Sequence, residues 1–160
     1  MNIEIVLADY SDSRQAKDIG YLLNEYAKDT MGGGCELPLD IQESVAQKLS
    51  ELPNSSTILA YVDDKPAGLI TYFENFSTFK CKPLISIHDI MVDSEFRGLG
   101  LSQKMLDMVE SQAHKRGCCK ITLEVLEGNK VAQNAYSKFG FEGYELDPQM
   151  GKAMFWEKVL

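Results

Sequence analysis

The segment Arg97–Ser102 (RGLGLS) has the composition and position of an anion-binding turn. A strand-like run, 85–92, ends just before it, and an amphipathic helical pattern follows at once. Glycines let the backbone turn tightly and expose N–H groups, and a helix start adds unpaired donors and the positive end of its dipole. The pattern therefore predicts that a phosphate-bearing ligand binds at this turn.

A second group of residues lies further along the chain. Asn129, Ala132 and Tyr136 are separated by three and four positions, so they share one face of a short helix that Gly140 ends. The phenol of Tyr136 is either a reactive group or a core aromatic whose hydroxyl is satisfied by a neighbour, and the spacing leaves both interpretations open.

The elements that position these residues follow from hydrophobic periodicity. Helical spacing predicts helices over 12–29, 40–52, 99–115 and 131–139. β-branched and alternating runs predict strands over 3–7, 57–62, 67–73, 85–92 and 121–125, and two final strands through Tyr144 and through 154–158. This order predicts an α/β protein with one central mixed sheet and helices on its faces.

The length of 160 residues suits one domain over 1–160 with a sizeable core. The sequence has no long apolar run and no signal-peptide pattern, so we expect a cytoplasmic protein that does not enter membranes. Its four cysteines form no CxxC pair, and the spacing of its histidines does not fit a zinc site. We therefore expect reduced thiols and no bound metal.

The net charge of −8 argues against nucleic-acid binding. The charge is uneven, because residues 97–138 carry +3 and the remaining residues −11. This polarity fits a phosphate-bearing cofactor together with a cationic second substrate, and it equally fits ordinary solvated surfaces.

Two motifs together carry a resemblance to a known family. They are Val92-x4-Arg97-x-x-Gly100-x-Ser102 and Leu123-Glu124-Val125-x3-Asn129-x-x-Ala132-x3-Tyr136-x3-Gly140-Phe141. In both, the chain resembles the GNAT superfamily of acetyl-CoA-dependent N-acetyltransferases, and its element order is similar to the GNAT-like acyl-CoA N-acyltransferase fold. Ser102 departs from the pattern, since the family more often has Gly or Ala there.

The resemblance implies a binding site for acetyl-CoA, the acetyl donor. It implies that the pyrophosphate is held by Arg97 and by the backbone N–H groups of Gly98, Leu99, Gly100, Leu101 and Ser102. It also implies that the strands 87–92 and 121–125 splay apart, so that Met91 and Val92 offer backbone groups to pantetheine. Asn129 matches the polar residue that contacts the cofactor, and Tyr136 matches the tyrosine that protonates the departing sulfur.

The same resemblance gives two candidates for the general base. His88 occupies the place where related enzymes carry a Glu or His aimed at the acetyl group, and Glu124 matches the strand glutamate of ribosomal-protein N-terminal acetyltransferases. Some members of the family use no discrete base. Strict alternation along a strand predicts that His88 and Asp89 point to opposite faces and form no pair.

The resemblance implies direct attack of a primary amine on acetyl-CoA in a ternary complex. The acidic composition favours a small cationic amine, such as a polyamine or an amino-acid-like molecule. The resemblance implies the same class, because His88 and Asp89 occupy the place of the Glu-Asp pair of diamine acetyltransferases. The alternatives are a protein or peptide N-terminus or lysine, and a non-catalytic CoA-binding regulatory module. The segment 29–40 is expected to shape the acceptor site. The apolar segment 154–156 is either a contact in a homodimer or part of the core.

Overall fold

The computed structural model describes residues 1–160 as a five-stranded sheet with four helices. The strands are β1 (Ile3–Leu7), β2 (Ser55–Val62), β3 (Lys65–Ser77), β4 (Lys82–Val92) and β5 (Ile121–Leu123). The helices are α1 (Ser13–Lys28), α2 (Leu39–Ser50), α3 (Leu101–Lys115) and α4 (Lys130–Phe139), and short 3₁₀ turns occupy Thr30–Gly32 and Ser94–Phe96.

The strands follow one another in sequence order across the sheet. Neighbouring strands are antiparallel from β1 to β4, and β4 and β5 are parallel. The predicted mixed sheet is confirmed, and its one parallel pair is joined through α3, as a parallel connection requires a crossover.

Helices cover both faces of the sheet because side chains alternate along its central strands. On β2, Leu59 and Tyr61 pack with Ile19 and Leu22 of α1. The intervening residues of β2 face the opposite layer, which is formed by α3 and α4. That layer contributes the buried side chains of Leu101, Met105, Leu106, Val109, Ala113 and Tyr136.

The sheet opens between β4 and β5. Their ladder holds only three residue pairs, from Ile85–Ile121 to Ile87–Leu123. Beyond Ile87, the rest of β4 up to Val92 pairs with β3 alone and has no strand on its other side. The backbone groups along that free edge are therefore available to a ligand.

The prediction of two final strands is wrong for this structure. Residues 140–160 form no helix or strand, and no backbone hydrogen bond joins 142–160 to the sheet. The segment has the composition of a strand, but a strand also needs a partner edge, and β5 offers only three residues before it ends at Leu123. The predicted extension of this strand to Val125 is wrong as well.

None of the four helices is long and apolar enough to span a lipid bilayer. All four cysteines are free thiols.

Candidate functional site

The main cavity of the site lies where β4 ends and the sheet opens. Its volume is about 540 Å³. One wall is the C-terminal end of α1 with the turn that follows it, and the opposite wall is α4. The floor is formed by Ile90, Met91 and Val92 of β4, and the far end by the loop into α3.

The loop into α3 has the backbone geometry of an anion-binding turn. Gly98 and Gly100 have φ values of 82° and 73°, in the left-handed region that favours glycine. Helix α3 starts at Gly100 without a side-chain cap, and the N–H groups of residues 98–102 have no acceptor within the chain. A Cβ atom at either glycine would meet only open space, so the loop leaves room for a ligand. These donors fit a phosphate group.

The residues of this loop differ in how they face the cavity. Arg97, Gly98, Gly100, Leu101 and Ser102 line it, whereas the side chain of Leu99 packs against the core layer formed by α3 and α4. The Ser102 hydroxyl makes no hydrogen bond within the chain, so it is free to meet a ligand. The guanidinium of Arg97 instead pairs with Asp29, with 3.3 Å between Nη2 and Oδ2.

Asp93 fixes the approach to the loop, and the sequence interpretation missed it. Its side chain is buried, and its Oδ1 accepts a hydrogen bond of 3.0 Å from the N–H of Glu95. The Tyr21 hydroxyl of α1 donates to its Oδ2 at 3.3 Å. The order Asp-Ser-Glu after a strand is a turn signal that could have identified this residue.

Tyr136 lies on the α4 wall and is 8% exposed. Its ring makes an edge contact with Phe141, and its hydroxyl has no hydrogen-bond partner within the chain. Burial, and to a lesser degree the nearby phenol of Tyr26, raises the pKa of Tyr136 to about 12. The phenol therefore stays protonated at neutral pH, as a proton donor facing the cavity must.

Asn129 begins α4 and also lines the cavity. Its Oδ1 accepts a hydrogen bond of 3.1 Å from the N–H of Ala132, which caps the helix. Ala132, Ala135 and Tyr136 follow on the same wall, so the shared helix face predicted from spacing is present. Asn129 thus has a structural role in addition to its place at the cavity.

The prediction that His88 and Asp89 point apart is wrong, because β4 is irregular at this point. Thr71 of β3 pairs with Asp89 and Tyr72 pairs with Ile87, so His88 is an extra residue between two registered pairs. The Nδ1 atom of His88 lies 3.3 Å from Oδ2 of Asp89. The bulge therefore brings the two side chains together.

The two members of this pair have different environments. The His88 side chain is 71% exposed and contacts Phe73 edge to face, whereas the Asp89 side chain is 21% exposed. Burial raises the pKa of Asp89, and His88 acts in the opposite direction. Neither side chain lines the cavity. Burial raises the pKa of Tyr26, which does line it, and the negative charges of Asp89 and Asp29 raise that pKa further.

The other candidate base, Glu124, lies just beyond the end of β5 and is exposed. It does not line the cavity, and it makes no ion pair or side-chain hydrogen bond within the chain. The α1 wall carries two acids instead, Glu25 and Asp29, with Tyr26 between them. One cavity therefore holds the unpaired donors of the loop together with acidic and phenolic groups.

A family model described as the acetyltransferase (GNAT) family matches residues 20–141. Among curated proteins, the chain is 36% identical over 73 residues to a thialysine N-epsilon-acetyltransferase of Bos taurus; the match covers 46% of this chain and 42% of that protein. It is 34% identical over 86 residues to an uncharacterized N-acetyltransferase of Methanocaldococcus jannaschii, covering 53% of this chain and 38% of that protein. The chain therefore aligns with less than half the length of these relatives.

Solved structures resemble the fold over the whole chain. A possible acetyltransferase from Clostridium difficile 630 superposes with a TM-score of 0.78 at 23% identity, covering 100% of this chain and 99% of that one. The structure of AAC(6')-Iy in complex with the bisubstrate analog CoA-S-monomethyl-acetylneamine gives a TM-score of 0.76 at 16% identity, with both chains covered completely. At these identities the likeness concerns the fold.

Proposed function

Since the chain belongs to the GNAT acetyltransferase family, a family of acetyl-CoA-dependent acyltransferases, we propose that it acetylates a small cationic primary amine. The acceptor class is a polyamine or an amino-acid-like amine, and the reaction is direct attack in a ternary complex. The observation that carries the proposal is one cavity that holds both the unpaired N–H groups of the loop 98–102 and the free hydroxyl of Tyr136.

The loop supports the proposal because its chemistry fits the donor. Unpaired amides at the start of α3 bind the diphosphate of acetyl-CoA, and Arg97 adds a positive charge. The free edge of β4 at Met91 and Val92 offers N–H and C=O groups to the amides of pantetheine. Bound acetyl-CoA supplies the activated acetyl group as a thioester, with its sulfur toward α4.

The acidic wall supports a cationic acceptor. Glu25 and Asp29 line the cavity on the α1 side, and an ammonium group is drawn toward such carboxylates. The thialysine N-epsilon-acetyltransferase of Bos taurus, by its name, modifies a side-chain amine of an amino acid. A small amine is therefore the acceptor that both the charge and the relative favour.

The transfer requires two proton movements. The neutral amine attacks the thioester carbon, the new C–N bond forms, and the C–S bond breaks. Tyr136 gives its proton to the departing thiolate, and a base removes the surplus proton from the amine nitrogen. The His88–Asp89 pair and Glu124 are the two candidates for that base, and the 3.3 Å contact between His88 Nδ1 and Asp89 Oδ2 favours the pair, because a carboxylate beside an imidazole supports it as a proton acceptor.

The proposed function is tested by thiol release from acetyl-CoA across an amine panel. We expect turnover with short polyamines and with lysine-like amino acids, and much weaker turnover with a peptide N-terminus. Tight acetyl-CoA binding without turnover on any amine would favour a CoA-binding regulatory module instead. Preference for the peptide would favour a protein acetyltransferase.

The base is tested by pH–rate profiles of two charge-removing variants. Asp89→Asn should lower kcat/KM about 100-fold or more if the His88–Asp89 pair accepts the proton, since base catalysis contributes roughly that factor. The matched variant Glu124→Gln should keep the wild-type profile, because this side chain is exposed and outside the cavity. The opposite ranking of the two variants would assign the base to Glu124.

A further inference from the structure

One ion pair joins the α1 wall of the cavity to the loop into α3. Asp29 follows the last residue of α1, and Arg97 belongs to the loop into α3, yet their side chains meet at 3.3 Å. Both residues line the cavity. The Arg97 side chain is 62% exposed and the Asp29 side chain 38%, so the pair lies at the mouth and is open to exchange.

The Asp29 carboxylate is held in place by its own turn. Its Oδ1 accepts a hydrogen bond of 2.9 Å from the N–H of Met31, and its carbonyl oxygen accepts from the N–H groups of Gly32 and Gly34. Its other carboxylate oxygen, Oδ2, is the atom that meets Arg97. The position of this oxygen therefore does not depend on Arg97.

The second acid on this wall has a different partner. Glu25 pairs with Lys28, one turn further along the same helix, at 2.6 Å. Of these two acids, only Asp29 has a partner in the proposed phosphate-binding loop, namely Arg97. Any ligand that takes Arg97 away leaves Asp29 without a counter-ion, whereas the pair formed by Glu25 is unaffected.

A diphosphate is a stronger partner for arginine than one exposed carboxylate. It carries more charge and accepts two parallel N–H bonds, whereas an exposed ion pair contributes about 1 kcal/mol or less. Tyr26 lies three residues before Asp29, and both residues line the same cavity as Tyr136. Asp29 is therefore within the cavity in which the acceptor would bind, where it can meet a second cationic group of that acceptor.

We propose that Asp29 recognises a second cationic group of the acceptor amine, and that Arg97 masks Asp29 until the diphosphate of the cofactor takes the guanidinium. The inference rests on the proposed function and deepens it. It makes acetyl-CoA binding the event that exposes the anionic subsite. It also selects acceptors with two positive charges over acceptors with one.

The masking is tested by calorimetric binding of coenzyme A without any amine. Asp29→Asn keeps an oxygen that can cap the turn and removes the competitor for Arg97, so affinity should rise about two- to five-fold. Glu95→Gln also removes one negative charge close to the loop, but Glu95 forms no pair with an arginine. This variant therefore controls for the effect of net charge on coenzyme A binding. In an Arg97→Gln background, Asp29→Asn should tighten binding no more than Glu95→Gln does. Equal gains for the two single variants would overturn the masking.

The recognition is tested with a matched pair of acceptors, 1,4-diaminobutane and n-butylamine. Asp29→Asn should lower kcat/KM for the diamine about ten-fold more than kcat/KM for n-butylamine, mainly through KM for the diamine. An equal change for both amines would overturn the recognition and leave the proposed function standing. Failure of the unaltered protein to acetylate either amine, or any other in the panel, would overturn the proposed function itself and the recognition with it.

Discussion

At the scale of single residues, the site depends on groups whose protonation is controlled by burial. The ring of Tyr136 is buried in the core layer formed by α3 and α4, and its hydroxyl has no hydrogen-bond partner within the chain. Burial disfavours the phenolate, which is why the pKa of Tyr136 is raised to about 12. A donor with this property keeps its proton throughout the pH range in which the reaction runs, so the proton is available when the departing thiolate forms beside it.

Tyr136→Phe should therefore lower kcat about 100- to 10,000-fold, the usual contribution of a general acid, and leave acetyl-CoA affinity unchanged. Because the pKa of Tyr136 is about 12, its proton is retained as the pH rises, and the unaltered protein should lose no activity from this group up to about pH 10. Steady-state kinetics and calorimetry measure the two effects. Tyr144→Phe, at an exposed tyrosine, is the matched control. Full activity of Tyr136→Phe at every pH would contradict the assignment.

At the scale of elements, local signals predicted the limits of the helices but did not predict the irregularity in β4. Asp12 caps α1 and Gly140 ends α4, so residue type alone indicated those limits. The bulge at His88 has no such signal, because it depends on how β4 registers against β3. Period-two alternation therefore separated His88 from Asp89, although the folded chain brings them together.

The final segment also shows that local sequence signals do not determine strand pairing. Residues near Tyr144 and 154–158 have the composition of strands, and local propensity predicted them as such. A strand is stabilised by its neighbour, however, and the open edge beside them is only Ile121–Leu123. A sequence pattern gives the conformational preference of a segment. It does not show whether the sheet offers an edge strand long enough to pair with that segment.

Helix α4 gives a prediction that separates two roles of one residue. Asn129 caps this ten-residue helix and is also a proposed cofactor contact. Asn129→Ala should lower the free energy of unfolding by about 1 kcal/mol through loss of the cap. Asn129→Asp should keep the cap and the stability, because aspartate caps equally well, but its negative charge should weaken coenzyme A binding several-fold.

Chemical denaturation and calorimetry measure these two properties separately. Asn134→Asp introduces the same charge on the exposed side of α4 and should leave coenzyme A binding close to that of the unaltered protein. If Asn129→Asp binds coenzyme A as tightly as this control, the residue is a cap and does not approach the cofactor.

At the scale of the whole molecule, apolar surface is concentrated in the final segment. Met154, Phe155 and Trp156 are 75–80% exposed, and Val159 and Leu160 are exposed as well. A groove of about 270 Å³ lies beside the open edge of β5, between α3 and the end of α4, and includes Ile121, Phe139 and Phe141 among its lining residues. Exposed apolar patches of this kind are typical of protein interaction surfaces. The unpaired edge and the unpacked segment complement each other, which supports the predicted homodimer.

The prediction is that the final segment of one copy packs against the β5 edge of another. Trp156 is the single tryptophan of the chain, so its fluorescence reports this packing directly. With rising protein concentration, its emission should shift to shorter wavelength while light scattering shows conversion of monomer to dimer.

Trp156→Ser should weaken the dimer, because a buried aromatic side chain often contributes a large share of the binding free energy of an interface. Phe79→Ser removes another exposed aromatic, from the loop between β3 and β4, and should leave the equilibrium unchanged. A buried emission spectrum at every concentration would mean that the segment packs within its own chain, and a solvent-exposed spectrum at every concentration would mean that it packs nowhere; either result contradicts the dimer.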